Sequence, residues 1–411
     1  MTAPALAVDD RRAHGRRTDQ VPWWLRILVL YAASRVVTTL LFLAVGTLAV
    51  PGSRVGAHPD LATMLTAWDG QWYWLIGESG YPTALPHTAD GDVATNQWAF
   101  LPVYPLLVKV LAALSNLPWP PAGIVVSVVA GGGAAVLLGL LLRPHVGDRQ
   151  AVFAAAVFCF APLSFVLQTA YAESLGLCLT FGALCLVDRR RYGWAIPVAV
   201  LLAFTRPGVL ALALAVGLQL ALGLLRARRG GPEVPTGQLV GGLVLAAVAT
   251  VSGFAWSAIA GLVTGVPDAY FQTELAWRAL WMGRSEFAFF TPWFFAGDFW
   301  FNRTLHWGPV AGPVAVVLLV VGFAALLLTP PLRRIGETSR LWLASYALYL
   351  FAVFFPQSSV FRLLMPMAPI AGAVAPRSRT VRAGVLVACV GLQALWLWCI
   401  DGQPQVYWSV P

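Results

Sequence analysis

A chain of 411 residues that is 59% hydrophobic and only 11% charged, with a mean hydropathy of +0.73, lacks the polar surface a soluble domain needs. The net charge of +9 does not describe a nucleic-acid-binding face either. Lys109 is the sole lysine, and the arginines fall in short clusters between apolar runs, the pattern that sets membrane orientation.

The stretch Met1–Gln20, with Arg11, Arg12, Arg16 and Arg17, reads as a basic cytoplasmic tail rather than a cleavable signal, and the run after it is long enough to span. Residues 21–411 read as one membrane-embedded domain. Its first span is expected at about 24–50. A first extracytoplasmic segment, 51–120, follows and is rich in Pro, Gly, Asp and Trp. Its apolar part, 99–114, carries Pro102, Pro105 and Lys109 and is expected to lie along the interface instead of crossing. Further spans are expected at about 121–142, 151–167, 172–187, 193–206, 207–225 and 238–263. A second large extracytoplasmic loop, 264–307, precedes the last ones at 308–330, 341–356, 360–376 and 381–400. The fold class is thus an all-α polytopic bundle of about ten or eleven helices, each needing about 20 apolar residues to cross. Placing the clusters at 143–149, 189–191, 226–229, 333–340 and 377–382 in the cytoplasm leaves the two large loops outside.

Cys159, Cys178, Cys185, Cys389 and Cys399 all sit in apolar runs without a C-x-x-C pair and read as small buried hydrophobes. His58, His87 and His306, with Asp60, Asp90 and Asp92, have no metal-ligand spacing, and no phosphate-binding glycine loop is present. Tryptophans crowd the outer segments, as an aromatic belt does. The outer loops also hold nearly all the extracytoplasmic carboxylates, which a belt does not require.

Three strings carry the chemistry. In Ala67-Trp68-Asp69-Gly70-Gln71-Trp72-Tyr73, aromatic faces would desolvate Asp69 and make it a better proton acceptor, and could also stack on sugar rings. The competing reading makes Asp69 the N-cap of an interfacial helix. Glu173, in Tyr171-Ala172-Glu173-Ser174, either complements a helix dipole or serves as a functional group at the membrane edge. Arg206, in Thr205-Arg206-Pro207, and Arg362 stand at outer helix ends, suited to a phosphate or to snorkelling toward headgroups. Arg35, inside the first span, is expected to meet an internal carboxylate or carbonyl.

These same residues resemble the blocks of PIG-V-type mannosyltransferases. The W-D-G-Q-W-Y-W-L-I string with Gly80-Tyr81-Pro82, then Ala99-Phe100-Leu101-Pro102-Val103-Tyr104-Pro105, look like two consecutive family blocks. Tyr171-Ala172-Glu173-Ser174 and Thr205-Arg206-Pro207 resemble the next two, and Arg362 to Pro366 a looser late one. The chain departs from the family in the second loop, where Glu274 stands in place of an expected glutamine and no glycine precedes Arg278. This departure bears on the acceptor more than on the reaction.

The resemblance implies a GT-C-type bundle with its site on the extracytoplasmic face, and the arginine-rich, nearly lysine-free composition suggests a high-GC bacterial genome and so the bacterial cytoplasmic membrane. The resemblance also implies transfer of a hexose, mannose by family analogy, from a polyprenyl-phosphate donor to a lipid, glycan or protein acceptor by one inverting displacement. Asp69 would act as base. Glu173 would orient hydroxyls or share a divalent metal with Asp69. Arg206 and Arg362 would hold the phosphate, and Trp68, Trp72, Tyr73, Tyr81 and Tyr171 would shape the substrate pocket. The rival class is a transporter or flippase of a polyprenyl-linked or anionic substrate, for which inverted repeats around a midplane site are expected. No repeat is visible in the sequence.

Overall fold

The computed structural model describes residues 21–282, 287–374 and 376–404. The basic tail expected at 1–20, the centre of the second loop at 283–286 and the stretch 405–411 fall outside the described residues. The first span forms α1 (Trp23–Leu48). The first outer segment then folds as α2 (Leu61–Thr66), α3 (Asp69–Ser79) and α4 (Val103–Ser115). The Asp60 carboxylate caps α2, accepting from the Thr63 amide at 2.7 Å. At 1.5 Å per residue α4 is only about 20 Å long, short of the roughly 30 Å hydrocarbon core.

The central bundle is α5 (Trp119–Val146), α6 (Asp148–Phe160), α7 (Glu173–Asp188), α8 (Tyr192–Ala203), α9 (Val209–Arg228) and α10 (Thr236–Thr264). The second loop carries α11 (Ala269–Met282) and α12 (Pro292–Gly297). Then come α13 (Ala311–Leu327), α14 (Pro330–Arg333), α15 (Glu337–Val353), α16 (Val360–Leu363) and α17 (Arg379–Leu397). Among the described residues the only β pairing is an isolated bridge between His87 and Val93. The chain is an all-α, multi-pass membrane protein.

Among the described residues five helices are long and apolar enough to cross a membrane: α1, α5, α9, α10 and the Arg379–Gly402 helix that contains α17. The other expected spans fold as shorter pieces, and proline breaks two of them. Ala161-Pro162 ends α6, and the chain continues as a 3-10 turn at Ser164–Leu167. The run expected to span at 360–376 breaks into the one-turn α16 and a 3-10 segment, Met365–Ala373, that contains Pro366 and Pro369. Irregular backbone at such depth needs internal partners. Arg35 supplies some. Its buried guanidinium donates to the Cys159 carbonyl at 2.9 Å and the Ser164 carbonyl at 2.6 Å, both flanking the Pro162 break.

Small residues let the helices close on one another. In α5, a Cβ on Gly131 would collide with Tyr31 of α1 and one on Gly139 with Ile27, while one on Gly132 would press tightly on the Tyr31 ring. The Tyr31 hydroxyl, seated there, donates to the Val128 carbonyl at 2.7 Å. The arginine clusters gather at one end of this bundle. Arg226 and Arg190 flank Glu337 at 2.9 and 3.9 Å, His145 meets Asp188 at 3.2 Å, and Gly336 lies against His145. The opposite end carries the first outer segment, the start of α7 and the turn between α8 and α9.

Candidate active site

Four ionisable side chains from four separate segments meet at that opposite end. Asp69 opens α3 and Glu173 opens α7. Arg206 sits in the turn between α8 and α9, where Pro207 stops one helix and Gly208, at φ 130°, starts the next. Arg362 lies on α16. One guanidinium nitrogen of Arg362, Nη1, is 2.6 Å from Asp69 Oδ2 and 3.0 Å from Glu173 Oε1, and Arg206 Nη1 is 3.1 Å from the same Glu173 oxygen. The chain of charge runs Asp69–Arg362–Glu173–Arg206, two of each sign.

Local structure explains the convergence. Trp68 takes a left-handed φ of 56°, which turns α3 sharply away from α2 and aims Asp69 inward. The N-cap position of α3 belongs to Trp68, which makes no side-chain capping bond, so the Asp69 carboxylate is not spent as an N-cap. Its apolar aromatic surroundings are also not its only environment, since Arg362 neutralises it directly. The loop before α7 is pinned to the first outer segment by the Ala170 amide on the Leu65 carbonyl at 2.8 Å and the Tyr171 hydroxyl on the Ala67 carbonyl at 3.1 Å. Arg362 lies over the Tyr171 ring at 5.7 Å. Gly176, one turn into α7, leaves room for the Arg206 stem, whose Cγ would sit 2.7 Å from any Cβ placed there. Burial opposes the charge on Arg206, and Glu173 more than offsets it, so the guanidinium is held above its ordinary pKa.

The network is incompletely satisfied. Neither Glu173 oxygen makes a well-angled hydrogen bond despite the short contacts at Oε1, and Arg362 Nε is buried without a partner. An ordered protein seldom leaves such groups unpaired, so an acceptor for Arg362 Nε and a donor for Glu173 Oε2 are what this site asks of a ligand. A metal shared by Asp69 and Glu173 does not fit this arrangement, because a guanidinium already bridges the two carboxylates. Among the described residues no group of three or more His, Cys, Asp or Glu side chains is placed to hold a metal ion.

The other expected pocket residues divide. Trp72 lies near the network with one ring face stacked on Phe100 and its edge against Trp277 of α11. Tyr73 is 1% exposed, wedged between Phe100 and Tyr104 with its hydroxyl against Arg206, so it backs the site and does not line open space. Tyr171 is equally buried beneath Arg362. Tyr81 packs instead with Trp98 and Trp256, its hydroxyl donating to the Phe100 carbonyl at 2.8 Å. Trp68 is committed elsewhere: its indole donates to Asp401 at 3.0 Å, and Arg54 lies over its ring.

Two site residues escape sequence reasoning. Asp401, 2% exposed, reaches Trp68 from the last helical turn and so braces the residue that aims Asp69. Tyr346 of α15 lies within electrostatic reach of both Arg206 and Glu173, while its hydroxyl anchors the Leu363 carbonyl beside Arg362 at 2.9 Å. Glu274 stands one turn before Trp277 and Arg278 on α11, so its face of that helix approaches the aromatic wall. Burial pushes its carboxyl up to about 7, although the Tyr270 hydroxyl and the charge of Arg278 pull the other way.

No protein-family model matches the chain. It is similar to GPI alpha-1,6-mannosyltransferase 2 of Rattus norvegicus, at 29% identity over 141 residues, which is 32% of this chain and 26% of that protein. The Mus musculus protein of the same name is 29% identical over 158 residues, covering 36% of this chain and 30% of the relative. The match to these curated relatives therefore spans about a third of their length or less. Among solved structures, the archaeal oligosaccharyltransferase AglB from Archaeoglobus fulgidus, in complex with an inhibitory peptide and a dolichol-phosphate, aligns at a TM-score of 0.46. The alignment is 13% identical and covers 91% of this chain and 54% of that one.

Proposed function

We propose that this protein is a membrane glycosyltransferase that takes a hexose, mannose by analogy with the relatives, from a polyprenyl-phosphate donor. It passes the sugar to a hydroxyl of a lipid, glycan or protein acceptor on the extracytoplasmic side. The observation that carries the reading is the meeting of Asp69, Glu173, Arg206 and Arg362 at the bundle end away from the arginine clusters, with Arg362 Nε and Glu173 Oε2 still unpaired.

The chemistry follows from charge. The four side chains sum to zero, so an added phosphodiester brings one net negative charge, best received at Arg362 Nε and along Arg206. The acceptor oxygen attacks the anomeric carbon from the face opposite the phosphate. The bond from that carbon to the phosphate oxygen breaks, its electron pair stays on the phosphate, and the acceptor proton passes to Asp69. Asp69 thereby loses a negative charge as the phosphate gains one. Arg362 can shift its strong contact from the carboxylate to the leaving group without changing the total charge around it. That transfer of partner stabilises the transition state more than the ground state, the condition for catalysis. Glu173 fixes both arginines and offers Oε2 to a sugar hydroxyl. The half-buried Trp72 ring packs against the sugar.

The test is group transfer by the purified protein. In nanodiscs containing radiolabelled polyprenyl-phosphate mannose and a host lipid extract, label should move from the donor into a new glycolipid or protein band. A donor left intact, with labelled lipid instead crossing the bilayer, would give the protein to the flippase class.

A further inference from the structure

The end of the bundle remote from Asp69 holds a second feature with its own chemistry. A cavity of about 680 Å³ opens between the starts of α1, α6 and α17. Three arginines line it, Arg26, Arg149 and Arg382, together with Trp23, Val152 and Phe153. The only acidic lining residue, Asp148, is engaged by Arg143 at 2.6 Å. Among the described residues no carboxylate pairs with Arg26, Arg149 or Arg382. Arg149 and Arg382 lie close enough for their charges to repel.

Arg382 is held in place rather than left to snorkel. Its Nε donates to the Pro376 carbonyl at 2.7 Å, and its guanidinium lies over the Phe153 ring at 5.0 Å. Three helices also begin here, so their positive dipole ends add to the arginine field. Below the arginines the walls are apolar, with Leu30, Val152, Ala156 and Leu386. A built, like-charged cluster above an apolar slot between spanning helices is complementary to one kind of occupant. Its head carries a phosphate and its tail is hydrocarbon.

We infer that the Arg26, Arg149 and Arg382 cavity binds an anionic phospholipid of the leaflet on that side, its headgroup phosphate between Arg149 and Arg382 and an acyl chain along Val152, Ala156 and Leu386. Free phosphate lacks a use for the apolar slot, and a zwitterionic lipid brings a cation into an already positive site. The site lies at the opposite end of α1, a helix of about 39 Å, from the first outer segment that carries Asp69. It is therefore not the donor site.

Native mass spectrometry of the detergent-purified full chain, titrated with dioleoylphosphatidylglycerol or dioleoylphosphatidylcholine, tests this. The phosphatidylglycerol adduct should be favoured, and the double variant R149Q/R382Q should lose that preference by roughly tenfold or more. Its unfolding temperature in phosphatidylcholine nanodiscs and its affinity for polyprenyl phosphate should stay those of the wild type, which separates this site from the transferase reading. Equal retention of the two lipids by the wild type would overturn the inference. So would an undiminished preference in the double variant, or displacement of the lipid by millimolar inorganic phosphate. A preference that emerges only after removal of residues 1–20 would give the cavity to the chain's own tail instead.

Discussion

Arg362 touches both carboxylates of the site through a single nitrogen, and its Nε is the donor left for a ligand. Replacing Arg362 or Arg206 with glutamine should weaken polyprenyl-phosphate binding about 10- to 100-fold, the worth of a charge-assisted hydrogen bond of about 1.5–3 kcal/mol. Lysine should restore only part of it, lacking the planar fork. Isothermal titration in nanodiscs reads this directly, and wild-type affinity in both glutamine variants would leave the arginines a packing role alone. Glu274 makes a separate, pH-dependent claim. Its carboxyl, raised to about 7 by burial, keeps its proton in the folded protein where the unfolded chain, near the usual 4.5, has released it. The folded state then binds more protons between pH 4.5 and 7, so this group's contribution to stability is greatest below 4.5 and falls as pH rises toward 7. Thermal unfolding should show the wild type losing stability relative to Glu274→Gln between pH 5 and pH 7.5. Parallel curves for the two proteins would place Glu274 in water. Such residues were legible to different degrees. Asp69, Glu173, Arg206 and Arg362 stand out because charge is rare in so apolar a chain. Asp401 is also a carboxylate in an apolar run, but its partner Trp68 lies 333 residues away, and nothing local announces the pair.

At the scale of the element, hydrophobic runs located the long helices to within a few residues, as at 24–50 for α1 and 238–263 for α10. Runs that contain proline were less legible. The stretch 360–376 has the composition of a span, but Pro366 and Pro369 remove backbone donors and force a 3-10 path. That break is what lets the short α16 carry Arg362 into the site. Aromatic residues near Asp69 are not distinguished by sequence, because a tryptophan that stacks on a ligand and one that hydrogen-bonds a remote aspartate, as Trp68 does, have the same signature. Within α7, glycine has a positional meaning that can be tested against an internal control. An alanine Cβ at Gly176 would press on Arg206 Cγ at 2.7 Å, whereas one at Gly182 meets only Leu137 at 3.7 Å. Both changes raise helix propensity by about 1 kcal/mol. Gly182→Ala should therefore raise the unfolding temperature and leave donor affinity alone, while Gly176→Ala should lower donor affinity several-fold. Equal affinities would mean that Arg206 does not need its present path across α7.

For the whole molecule, the ordering principle is a division of the bundle's two ends, arginine clusters at one and the four-residue network at the other. Positive-inside bias then predicts an extracytoplasmic network end. A cysteine placed at exposed Ser79, beyond the network, should react with an impermeant thiol reagent on intact cells, and one placed at exposed Arg229 should react only after permeabilisation. The reverse pattern would invert the molecule. The central claim is that this end transfers a sugar, with Asp69 taking the proton. Asp69→Asn keeps the size of the side chain and can still accept a hydrogen bond from Arg362, but it cannot take up a proton as a base. Transfer of label from radiolabelled polyprenyl-phosphate mannose by the purified variant in nanodiscs is the direct measurement. Turnover should fall by about 10²–10⁴ while donor binding persists. Near-wild-type transfer by a folded Asp69→Asn protein would contradict the assignment.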